Sequence, residues 1–152
     1  MKLSAFTEAK LVDLALPAGS KDEILSSMAR LIARSPGVAD GTRFLTDVRA
    51  REELVTTGVG YGVAFPHDKS KVVRNVVFAF ARTTEGVSFD ALDSNPVRLI
   101  FLIAAPKELE PSGVYLNLMA RLSFLMRDEK NRSALLAAES VGAVFGILDS
   151  AR

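Results

Sequence analysis

The chain has no cysteine, no tryptophan and a single histidine among its 152 residues. Without cysteine there are no disulfides and no thiolate metal sites, which suits a reducing compartment. One imidazole and no thiol cannot complete nitrogen or sulfur coordination, so no metal site is expected. An excess of either charge is also missing: 19 basic residues against 18 acidic ones leave a net charge of +1. A nucleic-acid binder concentrates positive charge in a stripe, whereas Lys69, Lys71 and Arg74 form only a scatter. Long apolar runs are absent too. The longest, residues 99–105, falls far short of the roughly 20 residues that a membrane-spanning helix needs. The first residues, MKLSAFTEAKLVDL, carry charges where a secretory leader would be apolar. A cytoplasmic protein is expected, with no membrane insertion and no nucleic-acid partner.

What is present is ordinary globular composition, 49% hydrophobic and 24% charged. The length suits one domain spanning residues 1–152, and no linker or repeat divides it. Ser20-Lys21-Asp22-Glu23 matches a capping box, and Ile24, Met28, Leu31 and Ile32 follow at helical spacing until Pro36-Gly37. A second helix is predicted after Asp40, with Phe44, Leu45 and Val48 buried and Arg51 at the border of that stripe. Three strands are predicted over residues 59–65, 75–81 and 97–105, the last two apolar nearly throughout, as strands covered on both faces are. From Ser112 the pattern turns helical again, with Tyr115, Leu118, Met119, Leu122 and Met126 on one face, and short helices follow over residues 133–138 and 141–148. Helices, then strands, then helices predict an α/β sandwich: a mixed sheet with helices on both faces.

The stretch TTGVGYGVAFPHDKS, residues 56–70, is the unusual one. Read as a strand, it puts Gly58, Gly60, Gly62 and Ala64 on one side and Val59, Tyr61, Val63 and Phe65 on the other. The bulky side is expected in the core. The bare side admits another backbone, a partner or a small anion, and close packing or a sharp bend accounts for it equally well. Pro66 removes a ladder donor and is expected to end or bulge the strand, leaving His67 at a rim.

Most lone histidines are unremarkable surface or core residues. A hydrolase triad would need a nucleophile elbow such as G-x-S-x-G, and none occurs. GVGYG is neither a Walker A loop nor G-x-G-x-x-G. One role a single imidazole can perform is to accept a phosphoryl group on nitrogen. That chemistry asks for in-line positioning and for donors to the equatorial oxygens, with no cofactor. Thr56 and Thr57, the glycine amides and Arg51 are candidate donors.

Residues 51–67, REELVTTGVGYGVAFPH, resemble the active-site signature of the IIA domains of the bacterial sugar phosphotransferase system, mannitol/fructose class. FDALDSNPVRLIFLIAAP at 89–106 and YLNLMARLSFLMRD at 115–128 extend the likeness over nearly the whole chain, and the length most resembles the nitrogen-regulatory type. The resemblance implies a mixed sheet between helices. It also implies that His67 accepts phosphate from a phosphohistidine on HPr or its nitrogen-branch counterpart. The phosphate then passes to a cysteine on a IIB domain, or the phosphorylation state regulates other proteins. Arg51 matches the arginine near the phosphate. Thr57, with Thr56, Gly58 and Gly60, corresponds to the phosphate-side lining, and Glu52 and Asp68 are carboxylates that modulate the site.

Two positions depart from the usual pattern. Tyr115 stands where family members place a second histidine, and it is either a neutral donor to phosphate or a residue of the helix's apolar face. Asp68 follows the histidine where glycine is common; a carboxylate there favours imidazolium and repels an incoming phosphoryl group unless Lys69 or Arg51 offsets it. Two further readings stay open: a regulatory binding module of the same fold without phosphoryl transfer, and the IIA component of a fructose- or mannitol-type permease.

Overall fold

The computed structural model describes residues 2–108 and 113–150. Two 3₁₀ turns, Leu3–Phe6 and Ala9–Leu11, lead into β1 (Val12–Leu16), then α1 (Lys21–Ile32) and α2 (Gly41–Leu54). Five strands follow: β2 (Gly58–Gly60), β3 (Val63–Ala64), β4 (His67–Ser70), β5 (Val77–Val87) and β6 (Val97–Pro106). The chain ends in α3 (Val114–Arg127), α4 (Glu129–Ala137) and α5 (Val141–Asp149).

α1, α2, α4 and α5 each start at a side-chain cap. Ser20 Oγ accepts from Glu23 N while the Glu23 carboxylate accepts from Ser20 N, a complete capping box. Asp40 accepts from Arg43 N at the head of α2, and Ser140 from Ala143 N at the head of α5. Asp128 caps α4 through Lys130 N, so that helix begins at Glu129, earlier than the apolar spacing indicates. The expected start of α3 at Ser112 lies outside the described residues.

β5 and β6 form the antiparallel spine of a six-stranded mixed sheet. β1 runs parallel to β5 on one side. On the other side β3 and then β4 run parallel to β6, at Val63↔Leu99 and His67↔Ile103, and β2 pairs antiparallel with β3. Alternation along the spine splits the core in two. Ala79, Ala81, Ile100, Leu102 and Ala104 face the apolar side chains of α1 and α2. Phe78, Phe80, Phe101 and Ile103 face those of α3, α4 and α5. Helices therefore cover both faces, as the sequence predicts.

The glycine-rich segment is not one strand. It folds as a hairpin, Gly60 opposite Val63, turning through Tyr61 and Gly62. Both turn residues have positive φ, 59° and 77°, as a two-residue loop matched to strand twist requires. Tyr61 Nα donates to Asp93, and the Arg132 guanidinium lies 4.7 Å over its ring. Because the chain reverses here, Val59 and Tyr61 point to solvent instead of entering the core. β1 was not expected, although Val12, Leu14 and Leu16 alternate with Asp13 and Ala15. β5 runs to Val87, beyond the predicted residues 75–81.

Candidate functional site

Pro66 interrupts the line of β3 without ending it. Its carbonyl still accepts from Ile103 N at 3.0 Å, and the strand resumes as β4 with the same register against β6. His67 is thus the first residue of a strand paired to the central strand, and it is half-buried. Its Nδ1 lies 2.7 Å from the Phe65 carbonyl oxygen. A carbonyl can only accept, so Nδ1 carries a proton, and in the neutral ring Nε2 holds the free lone pair.

The last turn of α2 supplies Arg51, half-buried, with Nη1 donating to the Val55 carbonyl at 3.3 Å. No carboxylate among the described residues forms an ion pair with it. Its neighbour Glu52 points the other way and is only 7% exposed. The Glu52 carboxylate accepts from Thr57 N at 2.9 Å and from Thr57 Oγ1 at 2.5 Å, and lies 2.7 Å from Lys21 Nζ. Lys21 also reaches Asp90 at 3.7 Å and stands over the Phe89 ring.

Each threonine hydroxyl has a single proton to give, and both are spent inside the protein. Thr57 donates to Glu52, and Thr56 donates to the Phe89 carbonyl at 2.9 Å. Gly58 and Gly60 likewise turn their bare side to the protein. A Cβ at Gly58 would sit 2.9 Å from Ala91 Cα, and one at Gly60 would sit 3.2 Å from the Asp93 carboxylate. The close approach that glycine permits here is that of the 89–95 loop, whose Leu92 N donates to the Gly58 carbonyl.

Tyr115, in the first turn of α3, is buried, and its ring centroid lies 6.4 Å from that of His67 at a tilt of 56°. Burial pushes the phenol up to about 12; Asp68 pushes the same way and Arg51 opposes. The fields of Asp68 and Arg51 therefore converge on this hydroxyl, which stays protonated near neutrality. Asp68 is half-buried, with Oδ1 accepting from Lys69 N. The structure brings His67, Asp68, Arg51 and Tyr115 to one place and gives Thr56, Thr57, Gly58, Gly60 and Glu52 to its support. Exposed apolar side chains stand on the flanking segments: Leu54 and Val55 beyond Arg51, and Leu116 beside Tyr115. Sequence reasoning missed Lys21 and the backbone acceptors of Phe65 and Val55. Carbonyls leave no trace in a residue pattern, and Lys21 reads as a surface lysine after a helix cap.

Residues 5–151 match the family model for the phosphoenolpyruvate-dependent sugar phosphotransferase system, EIIA 2. The chain belongs to this EIIA 2 family. It is 35% identical over 135 residues to a nitrogen regulatory protein of Bradyrhizobium diazoefficiens, covering 88% of this chain and 86% of that protein. It is 34% identical over 146 residues to the fructose-specific EIIA component of Haloferax volcanii, covering 96% and 94%. Against the fructose-specific EIIABC component of Bacillus subtilis it is 30% identical, and this EIIA 2 chain spans 23% of that protein's length. The crystal structure of nitrogen regulatory protein IIA-Ntr from Neisseria meningitidis superposes with a TM-score of 0.89 at 30% identity, covering 96% of this chain and 98% of that one. Among the described residues of this EIIA 2 chain, no helix is long and apolar enough to cross a membrane, and no cluster of three or more His, Cys, Asp or Glu could hold a metal ion.

Proposed function

We propose that this chain is a cytoplasmic histidine phosphoryl carrier of the nitrogen-regulatory type, with His67 as the acceptor. The observation that carries the reading is the 2.7 Å contact from Nδ1 to the Phe65 carbonyl, which leaves Nε2 as the nucleophile. In the transfer, the Nε2 lone pair forms a bond to phosphorus as the P–N bond of a donor phosphohistidine breaks. The electron pair returns to the donor ring, and Nδ1 keeps its proton against Phe65. Arg51 has donors to spare for the transferred oxygens, and it offsets Asp68. Tyr115 contributes a neutral phenolic donor beside the ring. Asp68 tunes the approach of the negatively charged donor.

The exposed Leu54, Val55 and Leu116 suit contact with a protein donor of the HPr type. A IIB domain or a regulatory target is the proposed next partner. The fructose-specific relative, matched over 94% of its length, favours a second reading in which the next acceptor is a sugar-permease IIB cysteine.

Incubation with enzyme I, an HPr-type carrier and phosphoenolpyruvate adds one acid-labile phosphoryl group to the wild type and none to His67→Ala, read by intact mass. Absence of the adduct from wild type with every carrier of that type overturns the reading. Subsequent loss of the adduct to a fructose-type IIB domain selects the second reading over the first.

A further inference from the structure

A buried carboxylate that touches no reacting atom stands at the start of a connected set of contacts ending on the His67 ring. Glu52 fixes Thr57 by both its amide and its hydroxyl. The Thr57 carbonyl accepts from Phe65 N at 2.9 Å, and the Phe65 carbonyl accepts from His67 Nδ1. The same loop holds Val55, whose carbonyl orients Arg51. Lys21, at the head of α1, lies 2.7 Å from the same Glu52 oxygen that accepts from Thr57 N.

Two features make this more than packing. The carboxylate is nearly inaccessible, and a buried charge is retained when it is both paired and hydrogen-bonded. Here its donors are two groups of one loop residue and a single ammonium. In addition, the loop ends in two carbonyl contacts that set the direction of the imidazole and of the guanidinium. We infer that Glu52 is a positioning residue: by clamping Thr57 it holds the Phe65 and Val55 carbonyls that fix the His67 tautomer and the aim of Arg51. The inference rests on His67 being the phosphoryl acceptor, but its structural half is measurable without any transfer.

Since the chain has one histidine, ¹⁵N-histidine labelling of the full chain gives one pair of ring nitrogen signals. At alkaline pH, where an imidazole is neutral, wild type shows the Nδ1-protonated tautomer. Glu52→Gln puts an amide donor against Thr57 and Lys21, and the ring moves toward a mixture with the Nε2-protonated form. Phosphoryl acceptance falls by about tenfold to a hundredfold, the scale of a small misplacement at a reacting group. Thr57→Val removes only the hydroxyl and shifts the tautomer in the same direction, while Thr57→Ser restores the wild-type signal. If Glu52→Gln does not fold, the Thr57 pair decides. A folded Glu52→Gln or Thr57→Val with the wild-type tautomer overturns the inference. A wild type that accepts no phosphoryl group, yet shows these tautomer shifts, refutes the carrier reading and leaves the positioning role standing.

Discussion

On the α1–α2 side the sheet presents Ala64, Ala79, Ala81 and Ala104, whereas on the α3–α5 side it presents Phe65, Phe78, Phe80 and Phe101. On the alanine side the helices add Ile24, Met28, Ile32, Phe44 and Val48 to the sheet's Ile100 and Leu102. On the aromatic side the sheet itself supplies it: Phe101 lies 5.4 Å from Phe65, 6.2 Å from Phe78 and 4.8 Å from Phe80, ring centre to ring centre. The two sides meet at the β3–β4 line. Arg51 and Glu52 reach the site from the alanine side on α2, and Tyr115 arrives from the aromatic side on α3. The difference teaches a division of labour, one side bringing charge and orientation and the other a dry aromatic wall.

Three substitutions test that contrast, from the largest effect to the smallest. Phe101→Ala empties the centre of the aromatic cluster and costs about 3–5 kcal/mol by urea unfolding. Ala79→Leu overfills the opposite side, costs about 1–3 kcal/mol and spares the aromatic packing. Equal losses in both variants would show that the two sides are not packed by different means.

Tyr115→Phe has the smallest effect near neutral pH, and its signature is alkaline. The folded chain holds the phenolic proton more tightly than the unfolded chain, whose ordinary value is 10.0. The contribution is therefore intact below pH 10 and is lost as pH rises toward about 12. The variant keeps its stability better across that window and loses the late step in tyrosinate absorbance. A wild type that completes its tyrosine titration without that late step would show that the wall does not exclude water.

Much of this was legible in the residues. The capping box at Ser20 and the Asp40 cap needed only local chemistry, and the apolar runs of β5 and β6 announced a sheet covered twice. His67 and Arg51 were legible through the signature at 51–67, and Tyr115 as a departure in the separate stretch 115–128, with the apolar face of its helix as the other reading. The hairpin was not, because its turn uses Tyr61-Gly62 where an Asn-Gly pair would have signalled it. β4 escaped because His67-Asp68-Lys69-Ser70 is polar; its extended form is imposed by pairing with β6 and by the Ser70 hydroxyl donating to Asp47 at 2.6 Å. Glu52 was visible as a residue but not as a buried one. Its environment comes from Lys21, thirty-one positions earlier, and from a loop that folds back over it.

Mounting the imidazole at the first position of a strand has a mechanical consequence. A ring on a loop could swing to follow what visits it; this one is bolted to a beam, by the sheet beneath and by the carbonyl two residues back. Any partner that engages this ring meets it at a fixed address and must arrive already aimed.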